Sequence, residues 1–462
     1  MREKLSRRDP RVPAARVQVL CRLIHMDRFA RLRDHLLNQS KRCVRPPSGR
    51  FKHPWLAPMP PGAGAAAPPP TGKPAHAGST DIFNTGDYSP GLFHHDAAES
   101  AIELLRHEEF VEPCRGSLLN FLDTMEPSGL VHRVETPQRT NNADPSKPVV
   151  AQFALRCAQA SPDREQAASW LRANDVYERV VRFLRWTESN LTGSHGLTLA
   201  HSALQTGFDN DLLLVNAPER SIEDPGASAM MALEYDAGAD LAALLGLASD
   251  SADFRSRAAR VRALMNEHMW HDERAAGAGF YAALRSANAP ARDCLVLDPS
   301  SGSDHIPTSP MLSWTSLLPL YARVPDELRA EQLTRLLTDP ARFLGPRGVR
   351  TAPADSLYFN QSPRSLIYDT SVSARTAVSN WQGPVWVLSN YYLAAGLANY
   401  GHKTAARGLA LATANLLADS LDHEGTLFEC YNDAGEGLWP HSGNFVSWNV
   451  LAITMLDRFA AP

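Results

Sequence analysis

Cysteine is sparse: Cys21, Cys43, Cys114, Cys157, Cys294 and Cys430 are the only six in 462 residues, and no two form a C-x-x-C pair. That spacing is wrong for zinc and too thin for a disulfide framework, so free thiols in a reducing compartment are expected. No apolar run reaches membrane-spanning length. The basic N-terminus lacks the apolar core and small-residue cleavage site of a secretory signal. The expectation is a cytoplasmic protein with no membrane partner, in which the sequons at Asn190 and Asn360 carry no glycan. Neither sign of charge dominates. A net charge of -4 gives nucleic acid no basic face and leaves a small or weakly charged molecule as the partner. Phosphate-loop and dinucleotide motifs are missing, so no cofactor is implied, and the lack of G-x-S-x-G speaks against a serine hydrolase. The run His94-His95-Asp96 suggests a metal site at first sight. Adjacent helical residues face different ways, however, and no partner cluster has ligand spacing, so no metal is expected.

What is present is material for a large core. Hydrophobic residues make up 44% and charged residues 21%, within globular norms. Alternating strand and helix patterns are lacking, which argues against a doubly wound sheet or a β/α barrel. Helix-period segments instead recur at 27–40, 91–109, 112–125, 146–160, 163–189 (with a break near Asn174), 226–248, 251–270, 309–323, 325–338, 383–400, 402–420 and 443–460. Within 226–248, Met230, Leu233, Ala237, Leu241 and Leu244 form the stripe of a packed helix. About twelve helices without a fixed repeat fit six hairpins in two concentric rings, a mainly α (α/α)6 barrel with its long loops at one end, better than a solenoid.

Residues 1–25 are expected to be a partly disordered extension, with Met26 an alternative start, and 26–462 a single catalytic domain. Residues 57–80, dominated by Pro, Gly and Ala, read as a long loop that is either a disordered insertion or a lid. Residues 136–147 and 271–310 read as further irregular stretches.

Two loops carry carboxylates in settings suited to acid–base work. Asp209 lies in Thr206-Gly207-Phe208-Asp209-Asn210-Asp211, and Glu429 lies in Phe428-Glu429-Cys430-Tyr431 ahead of the Ala434-Gly435 turn. Cleaving a glycosidic bond needs two carboxyls from separated loops, one to protonate the leaving oxygen and one to activate water or attack the sugar. An aromatic neighbour can supply the apolar wall that keeps the acid protonated. Trp381, Gln382 and Trp386, in Asn-Trp-Gln-Gly-Pro-Val-Trp, offer flat apolar faces and an amide, as sugar subsites do. Trp439, Trp448 and His441 lie in similar company. Packing at helix ends explains the tryptophans equally well.

Taken together, GDYSPGLFHHDAAESAIEL (86–104), LQTGFDNDL (204–212), NWQGPVW (380–386), LFECYNDAGEG (427–437) and FVSWNVL (445–451) resemble the trehalase-like (α/α)6 glycosidases. The likeness is greatest to the bacterial mannosylglycerate and glucosylglycerate hydrolase branch of glycoside hydrolase family 63, and it runs from about residue 80 to the end. It implies an inverting hydrolase of small α-glycosides, with Asp209 as general acid and Glu429 as general base. It also implies that Asp96 holds sugar hydroxyls, with Tyr88 and Phe93 as wall and Trp381, Gln382 and Trp386 lining the same subsite. The chain departs from the pattern twice: His95 stands where a tryptophan usually precedes Asp96, and Lys147-Pro148 where Gln-Pro is common. Arg220 or Lys147 could meet an acidic aglycone such as glycerate. Two other readings stay open, a sugar epimerase using His94, His95, His201 or His441, and a sugar-binding protein without turnover.

Overall fold

Among the described residues, twelve helical segments alternate between two environments, one buried on every side and one buried on a single stripe. The computed structural model describes residues 14–62, 88–214, 217–273, 278–287, 312–356, 359, 381–439 and 443–460. Its helices are α1 (Ala14–Cys43), α2 (His94–Leu104), α3 (Glu108–Asp123), α4 (Val150–Gln159), α5 (Arg164–Ala173), α6 (Val176–Asn190), the single turn α7 (Ala203–Thr206), α8 (Pro225–Leu245), α9 (Ala248–Leu264), α10 (Glu327–Thr338), α11 (Val387–Asn399), α12 (Lys403–Glu424) and α13 (Leu451–Met455). Two 3-10 turns, Trp314–Ser316 and Leu318–Leu320, complete the set between α9 and α10, and a third, Ser447–Val450, leads into α13.

A helix surrounded by protein must be apolar all round, and one that faces water needs only a stripe. Every residue of α11 from Val387 to Leu397 is buried, whereas α9 buries only Phe254, Ala258 and Val261. By the same test α2, α4, α8, the turns at 314–320, α11 and 447–455 form an inner ring. Each packs on the next, and α13 returns to α2. The outer layer consists of α1, α3, the α5–α6 pair, α9, α10 and α12. It closes where α1 bridges α12 and α3, through Arg28 to Asp419 and Asp422 and through Lys41 to Glu109. This is the (α/α)6 barrel expected from the sequence.

Connections leaving the inner segments are short, such as 105–107, 160–163, 246–247 and 400–402, while those entering them are long, such as 44–93, 124–149, 191–224 and 339–386. The described parts of the long connections therefore lie toward the N-terminal ends of the inner helices. Short antiparallel strands stitch them there: Leu92–Phe93 with His132–Glu135, Leu199–Ala200 with Ile222–Glu223, and Val385–Trp386 with Cys430–Tyr431.

Several expectations need correction. The segment read as one helix over 309–323 is two 3-10 turns, because Pro319 has no N–H to continue an α-helical ladder. The last segment is likewise a 3-10 turn, a short α-helix and a π turn. Residues 140–145, read as irregular, form a strand against His132–Glu135, and Trp270–Glu273 pairs with Ala278–Tyr281 inside the stretch 271–310. The break near Asn174 is present: Asn174 ends α5 and Asp175 adopts φ +49° before α6. Residues 1–13 and 63–80, which bear on the N-terminal extension and the loop at 57–80, lie outside the described residues; α1 begins at Ala14.

One tie in the inner ring replaces a missing cap. Val149 offers α4 no side chain to accept its first-turn N–H groups. Glu234 on α8 accepts from Ala151 N at 2.8 Å and Gln152 N at 3.0 Å instead. Burial pushes its carboxyl up to about 7 despite those bonds. Glu234→Ala would leave two buried donors unpaired, and urea unfolding should show a loss of about 2–4 kcal/mol, with Glu234→Gln losing less because the amide keeps one acceptor.

Candidate active site

The Asp209 loop starts from the single turn α7, whose first N–H groups are capped by Ser202 through Gln205 N at 3.0 Å. Gly207 ends it at φ +78°, and a Cβ there would lie 2.7 Å from the His95 ring. Only glycine meets both demands. Phe208 then drives inward against Trp314 (4.7 Å between centroids) and Trp381 (4.8 Å). With Phe208 fixed, Asp209 is turned outward into a pocket lined, among the described residues, by Pro58, Tyr88, Phe93, His95, Asp96, Arg133, Gly207, Glu429 and Trp448.

The residues after Asp209 tie this loop to its neighbours. Trp381 N donates to Asn210 Oδ1 at 2.6 Å, and Gln382 Nε2 donates to the Asn210 carbonyl at 2.8 Å. Asp211 accepts from Leu213 N at 2.9 Å and from the Ser313 hydroxyl at the start of the next inner segment. Glu429 reaches the same pocket from the residue before strand Cys430–Tyr431. Its strand is held by Phe428 N donating to the Tyr431 hydroxyl (2.8 Å) and Asn449 Nδ2 to the Phe428 carbonyl (2.8 Å).

Asp96, in the first turn of α2, accepts from Ser447 Oγ at 2.7 Å. Tyr88 and Phe93 meet edge to face at 5.4 Å and form one wall. Pro58, at the start of the Pro-rich loop, joins the wall because its carbonyl accepts from Val446 N and Ser447 N.

The charges in this pocket are crowded. Burial raises the Glu429 carboxyl well above the usual carboxylate range, and the neighbouring Asp96 and Asp209 carboxylates raise it further, against the opposing pull of Arg133. Its Oε2 is buried with no hydrogen-bond partner among the described residues. Asp96 is pushed up to about 7, again chiefly by burial. Arg133 Nη2 sits 2.9 Å from Asp209 Oδ1.

Behind the pocket, Lys147 is buried and places Nζ 2.6 Å from His95 Nε2 and 4.2 Å from the centre of the Phe208 ring. A buried ammonium facing an imidazole requires the ring to be neutral, and the His95 ring is indeed held well below its ordinary value by burial and then by Lys147. Burial also brings Lys147 down to about 7, with Glu99, Asp96 and Asp224 opposing the shift.

The pocket thus brings together Asp209, Glu429, Asp96, Tyr88, Phe93, His95 and Trp448 of the residues singled out in the sequence. The others lie elsewhere. Trp381 and Trp386 stack on each other at 3.7 Å, fully buried in the layer beneath, and Trp448 presents its ring to the pocket in their place. Gln382 is buried in the same layer as a tether to Asn210, and Lys147 stands behind His95. Arg220 is exposed on a turn at φ +58°, donating to His201 Nδ1 at 3.2 Å, and does not line the pocket. His94 faces the core against Phe121, while His441 and the Trp439 side chain lie outside the described residues. Arg133 was missed. Its only signal is the alternation in His132-Arg133-Val134-Glu135, a strand too short to register without its partner at Leu92–Phe93.

A family model described as the mannosylglycerate hydrolase MGH1-like glycoside hydrolase domain matches residues 92–448. This chain belongs to that family. Among curated proteins, the mannosylglycerate hydrolase of Rubrobacter radiotolerans is 28% identical over 220 residues, covering 47% of this chain and 39% of the relative, so the match spans about two fifths of that protein's length. Among solved structures, the GH63 mannosylglycerate hydrolase of Thermus thermophilus in complex with glucose superposes with a TM-score of 0.61 at 19% identity, over 92% of this chain and 100% of that one. The same enzyme with Tris and D-glycerate gives 0.61 at 20%, over 92% and 99%. Neutral trehalase from Saccharomyces cerevisiae gives 0.57 at 15%, over 79% and 71%. At these identities the structural likeness speaks for the fold.

Lys147 is the cation that faces Glu99, Asp96 and Asp224 from behind the pocket. Lys147→Met removes it while keeping the stem volume, and should cost about 3–5 kcal/mol in denaturant unfolding because buried carboxylates lose their counter-charge. Lys147→Arg, which retains the charge, should recover part of that loss.

Proposed function

We propose that this member of the family hydrolyses the glycosidic bond of a small α-glycoside with inversion. The observation that carries the proposal is the convergence of Asp209 and Glu429, from loops some two hundred residues apart in sequence, on one buried pocket walled by Tyr88, Phe93 and Trp448. In this reading Asp209 protonates the glycosidic oxygen, and Glu429 takes a proton from a water that attacks the anomeric carbon from the opposite face. Asp96, fixed by Ser447, accepts hydrogen bonds from hydroxyls of the sugar being cleaved. The aromatic walls cover the apolar face of the ring and exclude bulk water.

Membership of the mannosylglycerate hydrolase MGH1-like family supports a mannosylglycerate, or its glucosyl counterpart, as substrate, ahead of trehalose and other α-glucosides. An epimerase would need histidines free to move protons at the sugar. His95 lines the pocket, but the Lys147 ammonium occupies its acceptor nitrogen, and His94 is packed in the core.

The charge count of the pocket suits this chemistry. Asp96, Asp209 and Glu429 face Arg133, with Lys147 behind, so one proton held among the three leaves both an acid and an ionised base available. Because burial raises Glu429 and Asp96, a second proton enters the cluster and disables the base as pH falls below neutral. The last proton leaves and disables the acid as pH rises. The profile of kcat/KM should therefore be a bell whose acidic limb lies well above the ordinary carboxylate value; an acidic limb near ~4 would contradict this.

Proton NMR of α-glucosyl- and α-mannosyl-glycerate during turnover should show the β-sugar first. Asp209→Asn and Glu429→Gln should each lower kcat by about 10²–10⁴-fold. Initial release of the α-sugar would show retention. Intact substrates across a panel of α-glycosides would refute hydrolysis.

A further inference from the structure

The turn that presents Asp209 is held from outside. Gly207, at φ +78°, has no side chain to fix it, and the place of its missing Cβ lies 2.7 Å from His95 Nδ1. Phe208, the next residue, meets the same imidazole edge to face at 5.9 Å. One cation touches both supports: Lys147 Nζ lies 2.6 Å from His95 Nε2 and 4.2 Å from the centre of the Phe208 ring. His95, Lys147 and Phe208 are all buried.

Lys147 is itself firmly seated. Its carbonyl accepts from Val149 N at 2.9 Å and from Ser146 Oγ at 3.1 Å. The residues before it span the space between α2 and the turn α7. Ser146 Oγ meets His94 Nδ1 on α2, the Ser146 carbonyl accepts from Gln205 Nε2 at 3.4 Å, and the Asp144 carboxylate accepts from Ser202 Oγ at 3.0 Å. Residues 144–147 thus brace the Asp209 loop along its length against the start of α2, and Lys147 is the end of the brace nearest Asp209.

We infer that Lys147 is a positioning residue for the proposed acid: through the His95 ring and the face of Phe208 it fixes the Gly207 turn, and with it the Asp209 carboxyl, where the glycosidic oxygen is protonated. This rests on the hydrolase reading above, in which Asp209 is the acid.

A buried ammonium is a stiff restraint. Its attraction to a ring face weakens as the ring shifts, and its hydrogen bond to the imidazole is costly to leave unmade at that depth. A movement of the turn would loosen both contacts together. A neutral amide at 147, the residue type common in the family at this position, would keep a donor for His95 and lose the attraction to Phe208. Misplacing a reacting group by about an ångström is enough to slow a reaction by about 10²-fold.

The consequence is selective. A displaced acid slows only a step that needs a proton on the leaving atom. Glycerate leaves as an alkoxide and needs that proton. From a glycosyl fluoride, water adds to the anomeric carbon, Glu429 takes the water's proton, and fluoride departs as the anion with little help from an acid. Loss of Lys147 should therefore separate two substrates that carry the same sugar, which a general weakening of the fold does not do.

The test compares 2-O-α-glucosylglycerate with α-glucosyl fluoride, together with the mannosyl pair, in wild type, Lys147→Gln and Asp209→Asn. Single-turnover rate constants are measured, because an unfolded fraction alters their amplitude and not their value. Lys147→Gln should lower the rate on the glycerate by about 10²-fold and the rate on the fluoride only a few-fold. Asp209→Asn should show the same selectivity, at least as strongly. Hydrogen exchange should show loss of amide protection in Phe208–Asp211 of Lys147→Gln.

Equal losses on both substrates in Lys147→Gln, beside a selective loss in Asp209→Asn, would overturn the inference and leave the hydrolase reading standing. Wild type inert toward all four compounds, with protection of Phe208–Asp211 still dependent on Lys147, would sink the hydrolase reading while the positioning of this loop stood. Should Lys147→Gln fail to fold, His95→Gln decides by the same comparison, since it removes the ring through which Lys147 reaches Gly207; a rate on the glycerate that falls no further than the rate on the fluoride would refute the proposal.

Discussion

The structure depends on a shortage of positive charge where carboxyls are buried. Asp96, Asp209 and Glu429 share one pocket, and among the described residues that line it Arg133 is the one permanent cation. In a low-dielectric setting three neighbouring carboxylates cannot all ionise beside one cation, so at least one keeps its proton near neutrality. That constraint is costly for folding. Lys147 behind the pocket and Ser447 on Asp96 are the arrangements by which the surrounding protein tolerates it. The same constraint keeps a protonated and an ionised carboxyl side by side.

The barrel turns this local problem into a fixed geometry. Long connections enter the inner segments at the same end, so loops remote in sequence meet over the inner helix N-termini. Phe208 is wedged between Trp314 and Trp381, and Asn210 is bonded to both Trp381 and Gln382, so the Asp209 loop cannot move independently of the loop at 381–386. That second loop pairs through Val385–Trp386 with the strand adjoining Glu429. The two carboxyls are thereby connected through a continuous set of hydrogen bonds and ring contacts rather than held by separate loops. The residues between them, Trp381, Gln382 and Trp386, position the pocket from beneath.

Helical periodicity made the fold legible because it is a local signal: twelve segments, and even the interruption at Asn174, can be read from spacing alone. The two pocket carboxyls were legible for a related reason, since a glycine turn and a flanking aromatic lie within a few residues of each. Which tryptophan faces the pocket was not legible. Trp381 and Trp386 have the company a sugar subsite has, yet the fold stacks them against each other and turns Trp448 outward, a matter of packing between segments far apart in sequence. Arg133 was invisible for the same reason, because its direction is set by pairing with Leu92–Phe93. Arg220 and Lys147 were plausible cations from composition; one is held at the surface by His201, and the other is buried behind His95.

The two departures from the family pattern, His95 and Lys147, are best understood as one change. A tryptophan before Asp96 would offer only an indole N–H donor, and a buried ammonium opposite it would find no acceptor. A neutral imidazole offers a lone pair, and Lys147 Nζ lies 2.6 Å from His95 Nε2. Conversely, an imidazole at 95 facing a neutral amide would bring no charge to the carboxylates around it. Together the pair holds a cation over the Phe208 ring, where Glu99, Asp96 and Asp224 all feel it. The same imidazole packs on Gly207, so the added charge sits directly against the turn that aims Asp209. A substitution at either position alone would break the arrangement, which explains why a lysine can occupy the wall behind a pocket that already contains an arginine.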